Sequence, residues 1–215
     1  VRGAFISFEG PEGAGKTTQL QLLAQYLNTN SIPVEVIREP GGTSLGEKVR
    51  ELLLDPGQDI EAKTEVYLYA AARAQLVEKM IRPALEEGRV ILCDRYVDAS
   101  VAYQGYGRAL GPQAVREANT LAIGGIWPDL TVLLDIAPEE GLQRVQLRSQ
   151  GLDRIEQEKL GFHQAVRQGY LTQASLEPGR FLVIEGARAP ETIFSVVCSR
   201  VTELLTRKGW VVPNK

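Results

Sequence analysis

The 215-residue chain has few cysteines and almost no histidine. Its two cysteines, Cys93 and Cys198, each lie in an apolar segment and share no spaced motif. That argues against a disulfide framework and fits a reducing compartment. The one histidine, His163, falls in a helical pattern with no metal cluster or nucleophilic triad around it, and reads as structural. No stretch approaches the roughly 18 apolar residues that a membrane-spanning helix requires. The opening VRGAFISFEG is too brief for a signal peptide's apolar core and has no cleavage site, so a cytoplasmic protein without a membrane partner is expected. Excess positive charge is also missing: 24 Lys and Arg stand against 27 Asp and Glu, which leaves no electrostatic footprint for nucleic acid. There is no internal repeat, no low-complexity tract and no Asn-Lys-x-Asp guanine reader. What remains is an ordinary globular composition, at a length best read as a single domain over residues 1–215.

Short β-rich runs alternate with longer helical patterns. The runs are AFISFE (4–9), VEVIR (34–38), VILCD (90–94), LTVLLDI (130–136) and FLVIE (181–185). Several are apolar at nearly every position, as parallel strands covered on both faces should be. Helices are expected at about 16–28, 44–53, 63–87, 98–106, 112–123, 138–150, 156–176 and 190–207. Pro83 should kink or end the long third one. The alternation predicts an α/β fold, a five-stranded parallel sheet flanked by helices. Ligands of such sheets bind at the carboxyl ends of the strands, so chemistry is sought just after each strand.

After the first run comes Gly10-Pro11-Glu12-Gly13-Ala14-Gly15-Lys16-Thr17-Thr18. Two glycines four apart, then Lys and a hydroxyl residue, between a strand and a helix, make a phosphate-binding loop. Its glycines let backbone N–H groups close on phosphate oxygens at the positive end of a helix. Lys16 would bridge the transferring phosphates and Thr17 would help hold magnesium. A Gly-rich turn that merely caps the helix is the bland alternative.

The third run leads into DRYVDASVAYQGYGR. Asp94 stands where a carboxylate can take the water shell of magnesium, and Arg95 can fork onto a second phosphate. Alternatively Asp94 only caps the next helix and Arg95 is solvated. Tyr96, Tyr103 and Tyr106 bring rings with hydroxyl tips, at least one of them for ordinary packing. The second run leads into REPGGTSLG, either a tight turn or a place from which Arg38 and Glu39 line the same cleft. Tyr69 and Arg73 share a helix face, suited to a planar base, though such pairs are more often surface contacts. Arg144, Arg148, Arg154 and Lys159 populate 144–160, where Gly151 breaks the chain and Asp153 with Glu156 resembles a capping pair. This is a candidate lid over nucleotide phosphates, or else a solvated basic face.

Seven stretches in order, FEGPEGAGKTTQ, REPGGT, YAAARAQ, DRYVDASVAYQG, PDLTVLLD, LDRIEQE and EGARAPE, carry a resemblance to the bacterial thymidylate kinases over essentially the full length. The resemblance implies the nucleoside-monophosphate kinase type of P-loop fold. It also implies transfer of the ATP γ-phosphate to thymidine monophosphate (dTMP) with magnesium, and a homodimer. It gives Glu12 the acceptor's 3′-hydroxyl, Arg95 and Arg38 its phosphate, Tyr69 the face of the thymine and Arg73 its carbonyl. Ser100 and Gln104 match positions near the base, and Glu39 belongs to the same pocket. Tyr103 lies where a 2′-hydroxyl would collide, and Ala187 with Arg188 resembles the adenine-side loop. Relatives often carry Phe in place of Tyr69, whose hydroxyl then needs a partner or water. Some members have an Arg inside the phosphate loop where this chain has Gly13. In the branch without it the lid supplies the arginines, which makes Arg148 and Arg154 the expected catalytic pair beside Lys16 and Glu12. A well-placed arginine contributes about 10³–10⁵ in rate to phosphoryl transfer. Two rivals remain: a kinase of the same architecture acting on another nucleotide or a nucleoside, and a nucleotide-binding module without turnover.

Overall fold

The computed structural model describes residues 2–147 and 151–212. Strands β1 (Ala4–Glu9), β2 (Val34–Arg38), β3 (Val90–Asp94), β4 (Leu130–Asp135) and β5 (Phe181–Glu185) form one sheet in the order β2-β3-β1-β4-β5. Every pairing is parallel. Each strand lies within one residue of its sequence expectation, because a run buried on both faces is apolar along its whole length.

Helices α1 (Lys16–Thr29) and α9 (Pro190–Arg207) cover one face. There Ile6, Phe8, Leu92, Val132 and Leu134 pack with Leu20, Leu23, Leu27, Val197, Val201 and Leu205. The alternate side chains Phe5, Ile91 and Cys93 point to the other face. They meet α3 (Ala62–Leu76), a π-helical turn at Val77–Ile81, α4 (Arg82–Glu86) and α6 (Pro112–Ile123). The β4 side of that face is covered by α8 (Leu160–Leu176), whose Val166, Tyr170 and Ala174 pack near Leu133 and Phe181.

The helix expected over 63–87 is therefore three segments. Pro83 does not stop it but sits in the first turn of α4, where, lacking an N–H, it leaves an i−4 carbonyl without its donor. The wider π turn just before it lets the chain continue to Glu86. The helix expected at 98–106 is likewise α5 (Val97–Ser100) followed by a π segment, Val101–Gly107. That segment lies against α8 so closely that a Cβ on Gly107 would come within 2.6 Å of the Phe162 ring.

Helix α2 (Ser44–Leu54) follows β2, and α7 (Pro138–Gln146) follows β4. The boundaries around 144–160 differ from expectation. Within the described residues α7 ends at Gln146, and α8 starts at Leu160 rather than near 156. Asp153 and Glu156 do cap each other: Asp153 Oδ1 accepts the N–H groups of Ile155 and Glu156, and Glu156 Oε2 accepts that of Asp153. Those bonds close a turn at 154–157 instead of opening the long helix.

β1 pairs with β3 on one side and β4 on the other. The loop leaving it opens at the point where the strand order reverses, the usual ligand crevice of such sheets.

Candidate active site

The loop after β1 turns on Gly10, Gly13 and Gly15, all with positive φ, and Gly15 hands the chain to α1. At Gly13 (φ +70°) a Cβ would stand 2.2 Å from the Gly141 carbonyl oxygen of α7. No side chain, arginine included, fits there. Lys16 is buried and folded over the loop, donating from Nζ to the carbonyls of Gly10 (3.0 Å) and Pro11 (2.9 Å). Burial, then the positive charge of Arg95, pulls its ammonium down to about 8. Thr17 Oγ1 donates to Asp94 Oδ2 at 2.9 Å, so the two residues expected at magnesium do converge.

Across the cleft, Arg95 adopts φ +68°. That left-handed conformation costs an L-residue roughly 1–2 kcal/mol. Its Nη2 donates to Glu12 Oε1 at 2.6 Å, Tyr103 Oη donates to the same oxygen at 2.7 Å, and the guanidinium lies 5.0 Å above the Tyr103 ring. Burial alone would raise the Glu12 carboxyl, but Arg95 and then Lys16 overcome it and hold the group down at about 2. Behind the loop, Glu9 is fully buried. Burial, then the Asp98 carboxylate, pushes it up to about 8.

Arg73 is 1% exposed. Its Nε and Nη2 engage Glu39 Oε2, at 2.8 and 2.6 Å, and its Nη1 engages Asn119 Oδ1 on α6. Among the described residues, two of its five N–H groups have no acceptor. Glu39 precedes a cis peptide bond to Pro40. Gln104 donates to the buried Glu65, while the buried Ser100 hydroxyl has no partner among the described residues. Arg38 pairs with Glu47, and Arg50 donates to the Pro40 carbonyl at 3.0 Å.

One cleft of about 370 Å³ runs between these groups. It is lined at one end by Gly13 to Thr18 and Asp94, and at the other by Arg38, Glu39, Tyr69, Arg73, Arg95, Ser100, Tyr103 and Gln104. Of the three tyrosines after β3, Tyr103 places its hydroxyl in the cleft. Tyr96 is buried with its hydroxyl on the Ile126 carbonyl, and Tyr106 lies against Gly169.

One expected arginine is not among the cleft-lining residues. Arg154 does not line the cleft: its Nη2 lies 2.6 Å from Glu65 Oε2 and its Nε donates to the Leu53 carbonyl. Glu65 is wholly buried, and a buried carboxylate needs cationic partners. It takes both Arg154 and Arg108. Arg148 lies outside the described residues. Arg144 instead bonds the carbonyls of Gly13 and Gly186, which ties α7 to the phosphate loop. Ala187 and Arg188 follow β5 outside the cleft lining, with Arg188 on Glu185. Sequence reasoning passed over Arg50, Glu65 and Asn119. Nothing local marks them: Glu65 and Asn119 act through partners distant in the chain, and Arg50 reaches the cleft from α2 beside the Pro40 carbonyl. Glu9 carried a faint signal, a charge at the carboxyl end of an apolar strand.

The family model described as thymidylate kinase matches residues 8–196. The thymidylate kinase of Deinococcus radiodurans is 51% identical over 202 residues, covering 94% of this chain and 98% of that protein. The thymidylate kinase of Thermomicrobium roseum is 48% identical, over 94% of this chain and 96% of its own. The crystal structure of thymidylate kinase from Ehrlichia chaffeensis superposes with a TM-score of 0.75 at 32% identity, covering 94% of this chain and 99% of that one.

Proposed function

The chain belongs to the thymidylate kinase family and phosphorylates dTMP for the supply of DNA precursors, and we propose that its donor is ATP, taken with magnesium in the loop after β1. The observation that carries this assignment is the single cleft with a phosphate loop at one end and an aromatic and arginine set at the other. Phosphoryl transfer asks for positioning and electrostatics more than covalent chemistry, and each end supplies part of it.

At the donor end, Lys16 leaves the Gly10 and Pro11 carbonyls for the outer phosphates, and the loop N–H groups and the α1 terminus take the rest. Thr17 and Asp94 suit magnesium: both offer oxygen, and their side chains are 2.9 Å apart. Among the described residues no group of three His, Cys, Asp or Glu could enclose a metal. Magnesium keeps several waters and leans on substrate phosphates, so two oxygen groups from the chain are enough to seat it. When bound, the ion neutralises charge on the phosphates being transferred.

At the acceptor end, Arg95 holds the dTMP phosphate with Arg38 nearby, and Glu12 takes the 3′-hydroxyl. Tyr69 stacks on the thymine, and the two N–H groups that Arg73 has left reach its carbonyl. Ser100, whose buried hydroxyl has no partner among the described residues, and Gln104 face the base, and Tyr103 disfavours a 2′-hydroxyl. The lid arginine of the transfer step is Arg148. Arg154 joins it only by giving up Glu65. Ala187 and Arg188 stand at the adenine.

The assay is ADP formation from ATP and magnesium with each deoxynucleoside monophosphate in turn, and with thymidine. ADP with dTMP alone is expected. ADP with another acceptor would overturn the roles of Tyr69 and Arg73, and none with any acceptor would favour a binding module.

A second copy of the chain is the proposed partner. Tyr67 on α3 is 65% exposed and Leu121 on α6 is 94% exposed, and the two helices pack on each other. A monomer mass in sedimentation velocity at micromolar concentration would remove that partner.

A further inference from the structure

Arg95 is gripped from behind as well as from the cleft. Three consecutive residues at the end of β1 hold it in its left-handed conformation. The Phe8 carbonyl accepts the Arg95 N–H at 3.0 Å, Glu9 Oε1 accepts the following N–H of Tyr96 at 2.7 Å, and the Gly10 carbonyl accepts Arg95 Nη1 at 3.1 Å. The other Nη1 contact comes from a residue 75 positions later in the chain. Tyr170 of α8, fully buried, accepts from Nη1 at 3.2 Å and donates to Glu9 Oε2 at 2.9 Å. Its ring stands edge-on to Tyr103, 6.2 Å between centroids.

A guanidinium has five N–H groups in a rigid fork. Gly10 and Tyr170 take both on Nη1, and Glu12 takes one on Nη2. Among the described residues, Nε–H and the second Nη2–H are left without an acceptor, enough for two phosphate oxygens. On the reading that Arg95 holds the acceptor phosphate, we propose that Tyr170, anchored by Glu9, is a positioning residue that keeps the Arg95 fork aimed at that phosphate.

The alternative open to Arg95 is close at hand. Glu12 bonds Arg95 through Oε1 alone, so a guanidinium freed at Nη1 can rotate and clasp both carboxylate oxygens. That geometry turns donors away from the cleft and onto Glu12. Tyr170 Oη keeps a lone pair for Nη1 whether the hydrogen between it and Glu9 belongs to the phenol or to the carboxyl. The contact therefore survives the raised protonation range of Glu9.

The experiment is Tyr170→Phe, which removes the hydroxyl and keeps the ring. Binding of dTMP and of thymidine is measured on the same protein, with kcat and the KM for ATP alongside. dTMP binding should weaken about tenfold, the loss of one hydrogen bond to a charged group. Thymidine binding, the KM for ATP and kcat should each stay within about threefold, because no phosphate-directed contact is lost in them. A merely structural tyrosine would weaken both ligands together, and equal weakening would overturn the proposal. So would dTMP binding that does not change. In an Arg95→Ala background, Tyr170→Phe should add nothing to the loss of dTMP affinity, since the two act as a unit. A full tenfold addition there would also overturn it. If Arg95→Ala by itself leaves dTMP binding intact, it is the assignment of Arg95 that fails. Should the phenylalanine variant not fold, Tyr170→Leu removes the same hydroxyl and is read by the same dTMP-to-thymidine ratio.

Discussion

Lys16→Ala should lower kcat by about 10²–10³, the usual cost of one preorganised donor at a developing charge, while dTMP affinity changes by less than about threefold. The argument is geometric. Among the described residues Lys16 donates to the Gly10 and Pro11 carbonyls alone, and each keeps another donor when it is gone: Arg95 Nη1 on Gly10 and the Ala14 N–H on Pro11. The loop and the acceptor side can therefore stand without it, while the transferring phosphates lose a buried cation where the local dielectric makes it count. A pH signature belongs to the same residue. With its ammonium pulled down to about 8, Lys16 is half-protonated at pH 8, and phosphates favour the charged form. ATP binding should then take up about half a proton at pH 8 and almost none near pH 6.5. Calorimetry in two buffers of different ionisation heat reads the difference, and Lys16→Ala should abolish it. Steady-state rates for the variant within threefold of the parent would remove Lys16 from the transfer step.

The second large effect is on the acceptor. Arg95→Ala should raise the KM for dTMP by about 10²-fold, the loss of two charge-assisted bonds, with the KM for ATP almost unmoved. Backbone strain does not confuse the comparison, because alanine at φ +68° meets the same steric cost as arginine. Glu12 is not stranded either: Tyr103 still donates to it at 2.7 Å, and Lys16 still lowers its pKa. A dTMP titration of initial rates at saturating ATP is sufficient. A KM within twofold of the parent would mean that the acceptor phosphate lies elsewhere, with Arg38 and Arg50 as the candidates on that side of the cleft, since Arg73 is engaged by Glu39 and Asn119.

The parts legible in advance share one property. The strands and the phosphate loop depend on residues adjacent in the chain. An apolar run of five or six residues has to be buried on both faces, and Gly10, Gly13 and Gly15 make the turns that bring backbone N–H groups around a phosphate. Thr17 and Asp94 were legible for a related reason. Each directly follows or ends a strand-linked motif, and the parallel sheet brings all such ends to one edge. The helix boundaries near Pro83 and Asp153 were harder, because a π turn and a self-capped turn satisfy the same local patterns as a helix stop and a helix start.

The arginines divide along the same line. By itself the sequence determined a five-stranded parallel sheet, a phosphate loop after its first strand, and an arginine at the end of its third. Only the tertiary structure decided where each guanidinium goes. Arg95 reaches the cleft because Phe8, Glu9, Gly10 and Tyr170 hold it from behind, the last from 75 residues away. Arg154, equally basic and in an equally suggestive stretch, is drawn to Glu65, 89 positions earlier in the chain. A buried carboxylate takes whichever cation the fold brings within hydrogen-bonding reach. That choice depends on distances across the packed core, which no local pattern encodes.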